Sequence, residues 1–391
     1  RNFTPADQAS VEGYGTGLTG CRMVVMGKGS KMRIGLIAPP WFAVPPSGYG
    51  GIEWVVSHLA DGLTERGHDV TLFASGGSRT IAEFVPTYPH PPSELLGDPV
   101  VEACHLLDSY SSWRDFDIIH DHTMLGLLAG AILGDETAVV HTIHGEVSSR
   151  MRPFYARVGR RVHLVCISEN QRSTLPLGSR ATVIHNGIRV ADFPFSDRPG
   201  DYLLFVGRMS PSKGILDALE IARRSGRRIV VIAKVNEEDE KTYFRDTVRP
   251  AMEGVNVDLL FETPPEVKAE AYRGAYATLF PIHWPEPFGL IMTESMATGT
   301  PVIAFRNGSV PEVIDDGVTG IICDSIDQAV AALDRVPELD RRACRDRVER
   351  QFEASVNVER HEALYRSLLA GGAAGGQQSI PLAVAGGGEG A

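Results

Sequence analysis

The sequence predicts an α/β protein of two domains, whose open, mostly parallel sheets face each other across a cleft, with a last helix crossing back to the first domain. Three observations lead there. Short apolar runs alternate with helical patterns along most of the chain. The alternation starts afresh after a stretch from Asp192 to Gly200, which carries Pro194 and Pro199 and reads as a linker. A length of 391 residues also lets two domains each bury a core of their own.

The first strand, Arg33-Ile34-Gly35-Leu36-Ile37-Ala38, is short and apolar, as a buried parallel strand should be. A loop rich in Pro and Gly runs from Pro39 to Gly51. The helix after it carries Val55, Val56, Leu59 and Leu63 on one side and closes at Gly67 in the C′ position. Val70 to Ala74 is the second strand, which completes a βαβ unit and places the loop after the first strand beside a ligand site. Further strands are expected at Phe116–His120, Ala138–Thr142, His163–Ile167 and Thr182–Ile184. Beyond the linker they recur at Tyr202–Val206, Arg228–Ala233, Val257–Phe261, Ala277–Ile282, Pro301–Phe305 and Gly320–Cys323. From Val356 to Leu369 an amphipathic helix presents His361, Leu364, Tyr365, Leu368 and Leu369 at helical spacing. The expected organisation is therefore a first domain over 32–193, a second over 199–350 and the crossing helix over 351–370. Segment 371–391 reads as a disordered tail, and 1–31 as a disordered tail or a segment foreign to the folded protein.

Composition removes several classes of function. The 43% hydrophobic and 22% charged content is that of a soluble globular protein, and a net charge of −11 argues against a nucleic-acid partner. Cys21, Cys104, Cys166, Cys323 and Cys344 are odd in number and widely spaced, without a Cys-x-x-Cys. Neither a disulfide framework nor a zinc knuckle follows, and a reducing, cytoplasmic setting fits. There is no run of about 18 apolar residues to span a bilayer, and the first 31 residues lack a signal peptide's apolar region.

Five clusters could carry chemistry. In His283-Trp284-Pro285-Glu286-Pro287-Phe288-Gly289-Leu290-Ile291-Met292-Thr293-Glu294, a strand runs into a loop and a helix is expected to begin near Phe288. The N–H groups of Phe288, Gly289 and Leu290 would then form an anion site, with Glu286 above it on the loop and Glu294 further along the helix. Two carboxylates so placed could grip hydroxyls on either side of a phosphate; alternatively, both are solvated charges. Gly207-Arg208-Met209-Ser210-Pro211-Ser212-Lys213-Gly214 follows a strand and offers a guanidinium fork and an ammonium to a diphosphate, without being a Walker A loop. The competing reading is a plain turn. In Pro45 to Glu53, Gly50 and Gly51 let backbone approach a ligand at a helix start. Glu53 stands where a dinucleotide fingerprint needs glycine, which disfavours a nicotinamide oxidoreductase. His120-Asp121-His122 closes a strand, with His141 and His144 at the next strand end; no carboxylate or thiolate set completes a metal pattern, so no metal is expected. Arg150, Arg152, Arg157, Arg160 and Arg161, interleaved with Met151, Phe154 and Tyr155, read as a solvated helix face, or as a contact for an anionic acceptor or a membrane.

Taken in order, these residues resemble the family-four retaining glycosyltransferases of the GT-B fold, from about Met32 to Leu369. The most specific pieces are Gly207-Arg208 with Lys213-Gly214, and Glu286 with Glu294. Cys166-Ile167-Ser168, His185-Asn186-Gly187-Ile188, Gly299-Thr300-Pro301-Val302-Ile303-Ala304 and Gly308-Ser309-Val310-Pro311-Glu312-Val313-Ile314 are also similar to that family. The texture around Pro39–Gly51 and Ile282–Glu294 looks most like an actinobacterial branch that assembles oligosaccharide antibiotics of the avilamycin type. The resemblance implies two Rossmann-like domains and a nucleoside-diphosphate sugar held by the second. Arg208, Lys213 and the N–H groups near Phe288, Gly289 and Leu290 would hold the diphosphate, with Pro287 lining the donor site and Gly50 and Gly51 closing over it. Glu294 would take the ribose hydroxyls and Glu286 those of the sugar. His122 would lie beside donor sugar and acceptor, with His120 and His144 on the acceptor side. Arg189 stands where many relatives carry an acidic residue, and no role is assigned to it.

These roles imply metal-independent transfer to an acceptor hydroxyl with retention, without a cofactor, by a monomer or homodimer. The growing negative charge on the leaving diphosphate would be stabilised by Arg208, Lys213 and a helix dipole. A nucleotide-sugar epimerase and a non-catalytic sugar-nucleotide binding protein are the alternatives.

Overall fold

The computed structural model describes residues 30–48, 50–133 and 137–372. Apart from their inner ends, the two expected tails lie outside the described residues. The first domain runs β1 (Arg33–Ile37), α1 (Gly51–Glu65), β2 (Asp69–Ser75), β3 (Glu83–Tyr88), α2 (Pro99–Ser109), β4 (Ile118–Asp121), α3 (Gly126–Leu133), β5 (Ala138–Ile143), α4 (Arg152–Val158), β6 (His163–Cys166), α5 (Glu169–Ser173) and β7 (Ala181–Val183). The second begins β8 (Tyr202–Arg208), α6 (Ile215–Ser225), β9 (Ile229–Lys234), α7 (Glu238–Tyr243), α8 (Arg249–Ala251), β10 (Val257–Phe261) and α9 (Pro265–Arg273). It continues β11 (Ala275–Phe280), α10 (Leu290–Ala297), β12 (Val302–Phe305), α11 (Val310–Val313), β13 (Gly320–Cys323), α12 (Ile326–Ala332), α13 (Arg341–Gln351) and α14 (Ala354–Gly372).

Both sheets are parallel throughout, ordered β3-β2-β1-β4-β5-β6-β7 and β10-β9-β8-β11-β12-β13. Helices cover both faces of the central strands, which is why β1, β8 and β11 are apolar runs rather than alternating ones. Two Rossmann-like α/β domains thus stand as the sequence predicts. The sequence reading placed no element between Ala74 and Phe116, where the chain forms β3 and α2. As an edge strand β3 is only partly buried and contains Pro86, so it shows no apolar run. The start of α2 had a legible signal: Asp98 accepts N–H bonds from Val100 and Val101, and Pro99 sits at the first helical position.

The last helix crosses back as expected. Val358, Leu364 and Tyr365 of α14 lie in the first-domain core, whereas Cys344, Val348 and Phe352 of α13 and its end lie in the second. Each such apolar side chain contributes roughly 2 kcal/mol of burial. A methyl at Gly62 of α1 would sit 2.6 Å from Val358 Cγ2, so glycine there sets how closely α1 and α14 pack. Glu362 of α14 ties the same contact through Arg66 and His68, and is itself held by Arg366 one turn on. The linker belongs mechanically to the second domain, because Arg341 and Arg345 donate to the carbonyls of Ser196 and Phe193. Between the domains, Glu312 accepts the backbone N–H groups of Glu169 and Asn170 at the start of α5, each at 2.7 Å, and pairs with His185 at 3.1 Å.

Candidate active site

In each sheet the strand order reverses once, between β1 and β4 and between β8 and β11. Ligands of open α/β sheets bind beyond the carboxyl ends of the strands at such points, because the flanking loops turn to opposite sides and leave a crevice. The loops that follow these four strands carry the residues singled out in sequence: Gly50 and Gly51 after β1, His122 after β4, Arg208 and Lys213 at and after β8, and Glu286 after β11. The two crevices face one another. A methyl at Gly51 would lie 3.1 Å from Leu290 Cδ1, so the N-termini of α1 and α10 meet across the cleft.

Lys213 and Glu286 come together at 2.6 Å, with side chains only 16% and 12% exposed. The Trp284 indole N–H donates to the same Glu286 Oε2 at 3.0 Å, and the Lys213 ammonium lies 4.6 Å from the centre of the Trp284 ring. Two glycines make this arrangement sterically possible. Gly214, at φ 74, packs against the Pro281 carbonyl, and Gly308, at φ 55, packs against the backbone of Glu286. The Ser309 N–H then donates to the Glu286 carbonyl at 2.9 Å. The Gly308-Ser309 run therefore buttresses the Glu286 loop, a role its sequence alone did not disclose.

Arg208 lies 3.3 Å from both Glu237 and Glu240. Glu294 accepts from Lys268 at 2.8 Å and from the Tyr272 hydroxyl at 2.9 Å. Burial, then the neighbouring Glu294 charge, holds the Tyr272 phenol well above its usual value, so it stays a donor. The helix at this loop begins at Leu290, later than the sequence suggested: Gly289 is its N-cap at φ 78. Phe288 lies outside the helix with its ring buried, and its carbonyl accepts from Ser309 at 2.8 Å. The free donors of that terminus are thus those of Leu290 and Ile291, since Met292 N–H bonds the Gly289 carbonyl. Pro287 lies between Glu286 and Phe288 on the same loop.

The histidines separate into two kinds. His120 is fully buried, and its ring nitrogens meet the Tyr365 hydroxyl at 2.6 Å and Thr142 Oγ1 at 2.7 Å, leaving none for a ligand. It is a seat for the crossing helix. His122 Nδ1 pairs with His144 Nε2 at 2.9 Å, while His122 Nε2 is buried without a partner. Burial, then the neighbouring imidazoles, pushes His122 well below the usual histidine range, and burial takes His144 down to about 3. Both rings are neutral near pH 7 and act through hydrogen bonds rather than charge. Among the described residues, no group of three His, Cys, Asp or Glu side chains could hold a metal ion. In the basic run, Arg150, Arg152, Arg157, Arg160 and Arg161 are exposed, while Met151, Phe154 and Tyr155 pack into the first-domain core. A cavity of about 630 Å³ near Tyr202, Arg228 and Leu259 lies at the outer edge of the second domain, away from these groups.

A model of Glycosyltransferase Family 4 matches residues 49–192, and one of Glycosyl transferases group 1 matches residues 193–351. Phosphatidyl-myo-inositol mannosyltransferase of Mycolicibacterium smegmatis is 27% identical over 349 residues, 79% of this chain and 86% of that protein. Glycogen synthase of Mycobacterium tuberculosis is also 27% identical, over 76% of this chain and 84% of its own. AviGT4, a glycosyltransferase involved in avilamycin A biosynthesis, superposes with a TM-score of 0.66 at 27% identity, covering 87% of this chain and 98% of its own. Anabaena HepE, solved with UDP-glucose, shares the fold at TM-score 0.66 and 17% identity, covering 86% of this chain and 100% of its own. The avilamycin protein is thus no more similar in sequence than the mannosyltransferase or the synthase, and the finer branch is not set by identity. Adjoining family matches over both halves, on two facing Rossmann-like domains, make this chain a GT-B glycosyltransferase of the group 1 and family 4 type.

Proposed function

We propose that the protein transfers a sugar from a nucleoside-diphosphate sugar to an acceptor hydroxyl, with retention of anomeric configuration and without a metal. The observation that carries this is the meeting of four strand-end loops, which sets two helix N-termini, Lys213, Arg208 and Glu286 around one cleft. In this reading the diphosphate lies between the N-termini of α1 and α10. It draws Arg208 from Glu237 and Glu240, and Lys213 from Glu286. Negative charge that grows on the leaving diphosphate then meets two cations and two helix dipoles in a site closed to water. Glu294, held by Lys268 and Tyr272, takes the ribose hydroxyls, and Glu286 takes those of the sugar. His122, neutral and with Nε2 uncommitted, offers one hydrogen bond at the sugar. The acceptor attacks from the face the phosphate leaves, and the departing phosphate oxygen takes its proton.

HepE is solved with UDP-glucose, which supports a sugar nucleotide as donor. The likeness to AviGT4, which is involved in avilamycin A biosynthesis, supports an acceptor of that biosynthetic kind, and the mannosyltransferase supports an inositol lipid equally well. Among the described residues no helix is long and apolar enough to cross a membrane. The test is incubation with UDP-glucose, ADP-glucose and GDP-mannose plus a panel of saccharide and inositol acceptors, in chelator, with the product's anomeric proton read by NMR. A product of the donor's own anomeric configuration is expected. An inverted product, or turnover abolished by chelator, would overturn the mechanism.

A further inference from the structure

Glu53, left without a task by the roles above, stands at the third position of α1 and is 4% exposed. Its carboxyl folds back over the start of its own helix: Oε2 lies 2.8 Å from where a methyl at Gly50 would be, and it takes the Glu53 backbone N–H. Gly50 holds φ 155, a conformation other residues rarely adopt, and gives the helix no side-chain cap. A carboxylate therefore sits among the N–H donors of the helix end that faces α10 across the cleft, the place where the proposed function puts the diphosphate. Opposite it, Lys234 ends β9 next to Arg208 in register, with its ammonium 5.8 Å from the Phe42 ring centre. Arg208, Glu237, Glu240 and Glu262 surround that lysine. Glu286 on the loop before α10 and Lys213 on the turn after β8 neutralise one another.

Resting on that donor-site reading, we infer that the donor is taken up together with one proton, which resides on Glu53 while the diphosphate occupies the N-terminus of α1. An ionised Glu53 would compete with the phosphates for the same N–H groups and repel them at close range in a site with little water. A neutral carboxyl repels nothing and can donate its O–H to a phosphate oxygen. The residue is prepared for this in the free protein, because burial raises it to about 7 against the opposing pulls of its own N–H and of Lys234. The sign follows from linkage. The bound diphosphate raises Glu53 further, so affinity is full below about pH 7 and falls as pH rises above it. If only the neutral form binds, affinity is about tenfold weaker at pH 8 than at pH 6. His122 and His144 do not titrate in that window, since burial has taken both far lower.

The experiment is calorimetry of the full chain with UDP-glucose and with GDP-mannose, neither of which titrates between about pH 6 and pH 8. Each titration is run in two buffers of different ionisation enthalpy. The native chain should take up close to one proton per donor bound at pH 8 and almost none at pH 6. Glu53→Gln, isosteric and neutral, should bind at pH 8 as tightly as the native chain binds at pH 6, with no uptake. Absence of proton uptake by the native chain overturns the inference even if the variant does not fold, as does an unchanged pH profile in a folded Glu53→Gln. If neither sugar nucleotide binds at any pH, the donor-site reading itself fails and takes this inference with it.

Discussion

Gly308→Ala isolates the buttress of the Glu286 loop from every charge in the site. An alanine at φ 55 pays about 1 kcal/mol for a left-handed backbone. Its methyl would also fall 2.3 Å from the Glu286 carbonyl oxygen and 2.4 Å from the Glu286 nitrogen. Both neighbours are backbone atoms with no rotamer to escape into. Restoring an ordinary separation moves the loop by roughly 1 Å, a displacement that costs on the order of a hundredfold when it falls on a positioning group. That is about 2.7 kcal/mol of transition-state stabilisation. Gly317→Ala is the matched control, because its φ of 77 carries the same backbone cost but nothing lies within 4 Å of the new methyl. Both variants should melt a little early. Release of nucleoside diphosphate from a sugar nucleotide should fall about a hundredfold further in kcat/KM for Gly308→Ala than for Gly317→Ala. Turnover of folded Gly308→Ala within about threefold of the control would refute the claim that the Gly308 turn fixes Glu286 for the reaction.

Other outcomes follow from the same contacts. Lys213→Met removes a cation aimed at the leaving phosphate and should lower kcat by about a hundred- to a thousandfold in the nucleotide-release assay, with little loss in a thermal melt. His120→Phe strands the Tyr365 hydroxyl and Thr142 Oγ1 in the core, and urea unfolding should show a loss of about 2–4 kcal/mol. Hydrogen bonds from Arg366, Arg66 and His68 outweigh burial and hold Glu362 at about 2, below the ordinary glutamate value of 4.5. Its hold on α14 is therefore complete above pH 4.5 and lost as pH falls toward 2. Melting temperatures measured from pH 6 to pH 3 should show native and Glu362→Gln proteins converging in acid.

How much could be read in advance depends on how local the cause is. The central strands announced themselves because both faces are buried, which leaves Leu36, Val231 or Leu204 no polar neighbour to alternate with. β3 did not, since an edge strand with Pro86 and partial exposure lacks that pattern. The sequence places the start of the helix after Glu286 near Phe288. The left-handed Gly289 in fact sets the boundary. The loop positions of Arg208, Lys213, Glu286 and His122 were legible because strand ends and glycines mark them. Their partners were not. Glu240 on Arg208, Tyr272 on Glu294 and above all Tyr365 on His120, 245 residues away in sequence, are brought in by the topology of the sheets and by α14. His120 therefore read as a site residue although its ring nitrogens are both spent on the fold.

The claim on which the rest depends is that a sugar nucleotide binds between the two domains on Arg208 and Glu294. Thermal melting of the native chain and of Arg208→Ala with Glu294→Ala, against UDP-, ADP- and GDP-sugars, tests it most directly. One sugar nucleotide at a hundred times its Kd should stabilise the native protein by about 2.7 kcal/mol and leave the folded double variant unmoved. Equal stabilisation of both proteins, or of neither, would contradict the account.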